Sequence, residues 1–225
     1  MIKNKRLFRT WIIFAVIFYA VWALTEMVMM PLISSVTDNR YILTVFRDVL
    51  IKNLFWTLPA ILLIRHFSED MYSGIKELFS FNKKTWKYLL LLIPISAVVI
   101  GGQLIRNHSL SVSSSFHLSM IFMVLFVGLT EEIVFRGFFL NSMMKNADTE
   151  KKRYLAFAVN AVMFLVIHFP IWIAEGRFVS SFSSFGFVTV LFLSVLFGIC
   201  FVRTKSLWSA IIIHSLYDLL ICVII

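Results

Sequence analysis

The sequence is poor in charge, glycine, proline and cysteine. Charged residues make up only 15% of the 225 residues, against about 25% in soluble globular domains. The two cysteines, Cys200 and Cys222, each lie inside an apolar run far from the other, which excludes a disulfide framework or a paired zinc knuckle. A HExxH motif, an internal repeat and a Gly-rich phosphate loop are also absent. A soluble enzyme built on any of these devices is therefore excluded.

Long apolar runs dominate what is present. Sixty per cent of the residues are hydrophobic and 16% are aromatic, and the mean hydropathy is +0.90. A helix of about 20 apolar residues crosses a hydrocarbon core of about 30 Å. We predict an all-α, polytopic membrane helical bundle of about seven transmembrane helices. The candidate spans are Trp11–Ile33, Val49–Ile64, Tyr88–Ile105, Phe116–Leu140, Tyr154–Ala174, Phe182–Val202 and Leu207–Ile225.

The basic residues predict an orientation for these helices. With a cytoplasmic N-terminus, fifteen of the 21 lysines and arginines fall in cytoplasmic segments, as the positive-inside rule requires. The net charge of +9 then reflects contact with anionic lipid, and nucleic acid is not an expected partner. We interpret residues 1–225 as one integral membrane domain, with N-terminal helices in 1–115 and motif-bearing helices in 116–225. The bias toward Phe, Ile and Lys favours a multi-pass protein of a bacterial plasma membrane.

Three charged residues interrupt the fourth span. Glu131, Glu132 and Arg136 lie in the apolar stretch LFVGLTEEIVFRGFFL, where a single charge costs roughly 2.5–3.5 kcal/mol on insertion scales. Glu132 and Arg136 are four residues apart on one helix face, so they can pair. Glu131 points about 100° away from Glu132 and is left free for another role. A purely structural ion pair would account for two of the three charges and leave Glu131 unexplained.

Two histidines and one aspartate lie in later spans. His168 is in the fifth span, and His214 and Asp218 occupy positions i and i+4 of the seventh. Buried polar groups need mutual hydrogen bonds, so we expect these side chains to meet Glu131 in a common polar cavity that activates water. Glu131 and His168 would act on the water, and His214 and Asp218 on the substrate oxygen. A divalent metal such as zinc, held by Glu131, His168 and His214, would be equally consistent chemistry.

The ordered motifs resemble those of a known family. Glu131-Glu132-x-x-x-Arg136, Phe164-x-x-x-His168 and His214-x-x-x-Asp218 resemble the three motifs of the CAAX protease and bacteriocin-processing (CPBP, or Abi) family. The resemblance covers about Phe116–Ile225 and implies an all-α membrane peptidase. It implies that Glu131 and His168 activate water, while His214 and Asp218 contact the oxyanion. Family members often have Asn where this chain has Asp218, and an ionised Asp cannot donate a hydrogen bond.

These patterns favour an intramembrane endopeptidase whose catalytic residues are Glu131, Glu132, Arg136, His168, His214 and Asp218. Its expected partners are a peptide or membrane-protein substrate and the lipid bilayer. A non-catalytic bacteriocin immunity or membrane scaffold protein of the same fold is the first alternative. A proton-coupled transporter is the second, because chains of Glu, Asp and His also relay protons within membranes.

Overall fold

The chain is helical almost throughout. A computed structural model describes residues 1–114, 116 and 118–224, without the side chains of Leu118 and Ser119. Within these residues there is no β-strand beyond an isolated bridge between Val112 and Ile224. Five helices are long and apolar enough to cross a membrane: α1 (Lys5–Ser34), α2 (Arg40–His66), α3 (Lys83–Asn107), α5 (Glu150–Ala174) and α6 (Gly186–Thr204).

Two further apolar helices complete the bundle. Helix α4 (Leu118–Glu132) continues through Ile133–Leu140 into Asn141–Met144, and α7 (Trp208–Val223) is shorter. All seven regions predicted to be spans are helical at their centres, and the prediction of an all-α polytopic bundle is confirmed. Most boundaries differ by several residues, and Ile225, the predicted end of the last span, lies outside the described residues. Short helices Ile75–Leu78 and Phe178–Ser183 and a 3-10 turn at Ser68–Asp70 lie in connections.

Wider, π-helical turns occur in two of the long helices and in the segment that follows α4. The π segments are Thr25–Met29 in α1, Val45–Thr57 in α2, and Ile133–Leu140 after α4. Each contains buried ionisable residues, among them Glu26, Lys52 and Arg136. Isolated π turns are frequent at functional sites. Here each π segment carries at least one ionisable side chain that is buried in the bundle.

An aromatic cluster binds α1, α2 and the end of α4 together. Phe18 and Trp56 are fully buried, with ring centroids 4.6 Å apart. Trp22 packs edge-on against Trp56 at 4.7 Å, and Phe18 contacts Phe135 at 5.6 Å. Aromatic pairs in this range add about 0.5–1.5 kcal/mol each beyond burial. The cluster fixes α2 against the helix that carries the acidic motif.

The outer surface is apolar, as contact with lipid requires. Large hydrophobic side chains are exposed along the bundle, including Val16 at 63%, Val98 at 75% and Phe192 at 63%. Soluble monomers rarely expose such patches. Helix α3 is peripheral, since Leu92–Asn107 contains no buried residue. The chain is therefore a multi-pass membrane protein whose core is formed mainly by the other helices.

Candidate active site

The site forms where α4 packs against α2 and α7. Glu131 and Glu132 are adjacent but differ in accessibility. Glu132 is completely buried, whereas the Glu131 side chain keeps 10% of its surface. The sequence therefore places one sealed carboxylate beside one that a small molecule can still reach.

Glu132 and Arg136 form the ion pair expected from their spacing. Arg136 Nη1 donates to Glu132 Oε1 at 2.9 Å, and Arg136 Nη2 donates to the carbonyl and hydroxyl oxygens of Ser194 at 3.0 Å each. The guanidinium lies 4.5 Å from the Phe164 ring centroid and 5.3 Å from that of Phe197. Both partners are fully buried, and the contacts of Arg136 with Ser194 tie this pair to α6.

His214 connects the two glutamates. Its Nδ1 donates to Glu132 Oε1 at 2.9 Å. Its Nε2 faces two carboxylates, Asp218 Oδ2 at 3.4 Å and Glu131 Oε2 at 3.9 Å. The ring is stacked on Phe197 with centroids 4.8 Å apart. A protonated Nε2 in this position can donate to an oxygen placed between Glu131 and Asp218.

His168 lies at a break in α5. Pro170 has no N–H to donate to the carbonyl four residues before it, so the helical hydrogen bonds are interrupted near His168. A further helical segment, Phe169–Ala174, follows the break. His168 Nδ1 contacts the Phe164 carbonyl at 2.7 Å. A carbonyl can only accept, so Nδ1 carries the proton and Nε2 is left as an acceptor in the neutral ring. The ring of Phe164 packs against both imidazoles, with its centroid 5.2 Å from that of His168 and 5.8 Å from that of His214.

The structure thus brings five of the six sequence-predicted residues into direct contact, namely Glu131, Glu132, Arg136, His214 and Asp218. His168 adjoins them across Phe164. Asn160 on α5 donates to the Phe135 carbonyl at 2.8 Å, which joins α5 to the segment that follows α4.

Glu131 also has a partner that the sequence analysis did not identify. Lys52 Nζ on α2 donates to Glu131 Oε1 at 3.1 Å and lies 3.3 Å from Asp48 Oδ1. In the sequence, Asp48 directly precedes the second predicted span, Val49–Ile64, and Lys52 lies near the start of that span. Their i, i+4 spacing was a usable signal, because opposite charges at that spacing pair inside a helix.

The donor set suits a metal poorly. Among the residues that the structure describes, no group of three or more His, Cys, Asp and Glu side chains is arranged to hold a metal ion. The Lys52 ammonium lies 3.1 Å from Glu131 Oε1, where it would repel a divalent cation held by Glu131, His168 and His214.

A cleft approaches the site from the end of the bundle opposite the N-terminus. Its volume is about 830 Å³, and its wall includes Tyr41, Arg47, Asp48, Met123 and Phe126. Asp48 is shared between this wall and the contact with Lys52. Asp48 in the wall of the cleft is therefore connected to Glu131 through Lys52.

Close packing of α4 on α7 sets the distance between Glu131 and His214. A Cβ atom on Gly128 would lie 2.3 Å from Ser215 Oγ, so we expect Gly128→Ala to cost about 1–3 kcal/mol through overpacking. Adding Ser215→Ala should restore most of the loss, because the next neighbour, Ser215 N, is at 3.3 Å. Gly101→Ala, with nothing within 4 Å, is the matched control. Melting in detergent measures all three, and equal melting temperatures for Gly128→Ala and Gly101→Ala would contradict this packing.

The fold and site define a polytopic membrane protein with a buried cluster of carboxylates and imidazoles. Residues 113–220 match the family model described as type II CAAX prenyl endopeptidase Rce1-like. Over this segment the chain is similar to the Rce1-like group of the CPBP family, which confirms the resemblance found in the sequence. The family indicates a CAAX-protease-type intramembrane peptidase. No match was found among curated proteins or among solved structures.

Proposed function

We propose that the protein is an intramembrane endopeptidase that hydrolyses a peptide bond with water activated by Glu131. The observation that carries the proposal is the contrast between the two adjacent glutamates. Glu132 is sealed against Arg136, while Glu131 retains accessible surface and turns Oε2 toward His214. A carboxylate with only a structural role would be expected to be completely buried in an ion pair, as Glu132 is.

In the proposed reaction, a water bound between Glu131 and His168 Nε2 attacks the carbonyl carbon. Its proton passes to Glu131 Oε2 as the new C–O bond forms. The negative charge collects on the former carbonyl oxygen, which accepts a hydrogen bond from His214 Nε2 when that nitrogen is protonated. Collapse of the intermediate breaks the C–N bond, and the leaving amine takes the proton from Glu131. Asp218, at 3.4 Å from His214 Nε2, orients the imidazole.

The cleft lined by Met123 and Phe126 supplies an approach for the substrate. Its apolar wall suits the side chains of an extended peptide or of a membrane-protein segment, and its lining also includes Arg47 and Asp48. We propose a bacterial plasma membrane as the setting, on the basis of composition and the asymmetry of basic residues. The substrate would then approach from the side opposite the cytoplasmic N-terminus.

Cleavage assays test the proposal. Detergent-purified wild type is incubated with a library of membrane-tethered peptides, and products are identified by mass spectrometry. Glu131→Gln keeps the shape of the side chain and should lower cleavage by about 10²-fold or more, since it removes the proton acceptor. Glu150→Ala, an exposed glutamate at the start of α5, should cleave like the wild type. A chelator should leave cleavage unchanged.

Three results would overturn the proposal or part of it. Undiminished cleavage by Glu131→Gln would remove Glu131 from the chemistry. Loss of cleavage with a chelator, restored by zinc, would favour a metal centre. No cleavage by the wild type, together with a protective phenotype that survives Glu131→Gln, would favour the immunity or scaffold function.

A further inference from the structure

A cation from the N-terminal half of the chain touches the proposed catalytic carboxylate. Lys52 lies on α2, outside the segment 113–220 that matches the family model. Its Nζ is 3.1 Å from Glu131 Oε1 and 3.3 Å from Asp48 Oδ1. The contact joins residues 79 positions apart in the sequence.

The surroundings of Lys52 leave its ammonium little freedom. The residue is only 3% exposed, and Nζ lies 5.1 Å from the Trp22 ring centroid and 5.0 Å from that of Trp56. Aromatic faces attract a cation but accept no strong hydrogen bond. Asp48 and Glu131 are therefore the carboxylates that hold it, and a buried ammonium without them would be costly.

Asp48 is itself held in place. Arg47 donates to Asp48 Oδ2 through Nε at 3.2 Å and Nη2 at 3.0 Å, and Arg47 Nε lies 3.8 Å from Glu26 Oε1 on α1. A chain of ionic contacts thus runs from α1 through α2 to Glu131. Such networks have restricted geometry because each charge depends on its neighbours.

The contacts divide the two oxygens of Glu131 between different tasks. Lys52 takes Oε1, and Oε2 faces His214 Nε2 at 3.9 Å. Rotation of the carboxylate would break the contact with Lys52. The two oxygens are chemically equivalent, so the contact with Lys52 on α2 fixes the orientation of the carboxylate and leaves one oxygen directed toward the histidine.

We propose that Lys52 is a positioning residue for the peptidase reaction, acting through Glu131, and that Asp48 holds Lys52 in register. The inference rests on the proposed function and extends the site to the N-terminal helices. Lys52 orients the carboxylate and leaves Oε2 to act on water. Its removal lowers turnover more than substrate binding, because a misplaced catalytic group mainly affects the transition state.

The first test separates turnover from binding. Lys52→Met preserves length and removes the charge, and should reduce kcat by roughly 10- to 100-fold with KM changed by less than about threefold. Lys52→Arg restores a cation with more than one donor and should recover most of the lost kcat. A loss of kcat in Lys52→Met that Lys52→Arg does not recover at all, or an effect confined to KM, would overturn the proposal.

The second test separates positioning from charge balance. Lys52→Met leaves Asp48 and Glu131 with one cation fewer, whereas Lys52→Met combined with Asp48→Asn removes one charge of each sign. We expect the double variant to melt closer to the wild type than Lys52→Met does and to remain low in kcat. Recovery of kcat together with stability would show that Lys52 only balances charge, and would overturn the proposal.

A third measurement does not depend on activity. In a double-mutant cycle, Lys52→Met and Glu131→Gln should change the melting temperature non-additively, because both remove the same contact. Additive shifts would overturn the pairing and the proposal with it. If the wild type cleaves no peptide, the proposed function fails, and a non-additive cycle would then assign Lys52 to positioning Glu131 for another activity of this site.

Discussion

Arg136→Met is expected to destabilise the protein more than any other single change considered. Removing one partner of a buried ion pair typically costs about 3–5 kcal/mol, because the other charge stays buried without compensation. Here the substitution removes the arginine that pairs with Glu132, a carboxylate that is completely buried and also accepts a hydrogen bond from His214. For a chain of this size such a loss corresponds to a fall in melting temperature of roughly 10 °C.

The measurement is thermal unfolding in detergent, with Arg203→Met as the control. Arg203 is exposed at the end of α6, so its loss should shift the melting temperature little. Neutralising both partners, as Glu132→Leu with Arg136→Met, should recover part of the stability. That variant should still lack cleavage, because His214 loses the acceptor for Nδ1. Equal stability of Arg136→Met and Arg203→Met would contradict a structural role for the pair.

His214→Gln is expected to produce the largest loss of activity that leaves the fold intact. His214 contacts both Glu132 Oε1 and, at 3.9 Å, Glu131 Oε2, so it links the Glu132–Arg136 pair to the proposed water-activating group. Removing a donor to an oxyanion typically costs about 10²–10³ in kcat. The expected result is a fall in kcat of that size with a small change in KM.

Asp218→Asn gives the matched comparison for His214. An amide oxygen can still accept a hydrogen bond from His214 Nε2, and Asn keeps the shape of the Asp218 side chain. We therefore expect Asp218→Asn to change kcat by less than about tenfold. His66→Gln, at an exposed histidine on the end of α2, is the neutral control. A larger loss of kcat from Asp218→Asn than from His214→Gln would contradict the assignment of His214 as the oxyanion donor and of Asp218 as the residue that orients it.

Contacts within one helix were open to prediction from the sequence. Glu132 with Arg136, and His214 with Asp218, are pairs at i, i+4, and helix geometry alone brings such residues together. The spans themselves followed from the lengths of the apolar runs. The expected lipid-facing surface follows from the same composition.

Contacts between helices were not open to prediction in the same way. Lys52 reaches Glu131 across 79 residues, and His214 reaches Glu132 across 82. The π-helical turn Val45–Thr57 extends α2 beyond the predicted Val49 start and places Asp48 and Lys52 inside the bundle. The predicted second span began at Val49 and therefore left Asp48 outside it.

The sequence by itself determined that the chain is a membrane helical bundle with polar motifs on its fourth, fifth and seventh helices. Periodicity, span length and the cost of burying charge decide those features locally. Only the tertiary structure decided that Glu131 is held by Lys52 and that Glu132 accepts from His214. The physical reason is that the partner of a buried charge depends on which helix packs beside it, and the packing of α2 and α7 on α4 is a property of the whole bundle.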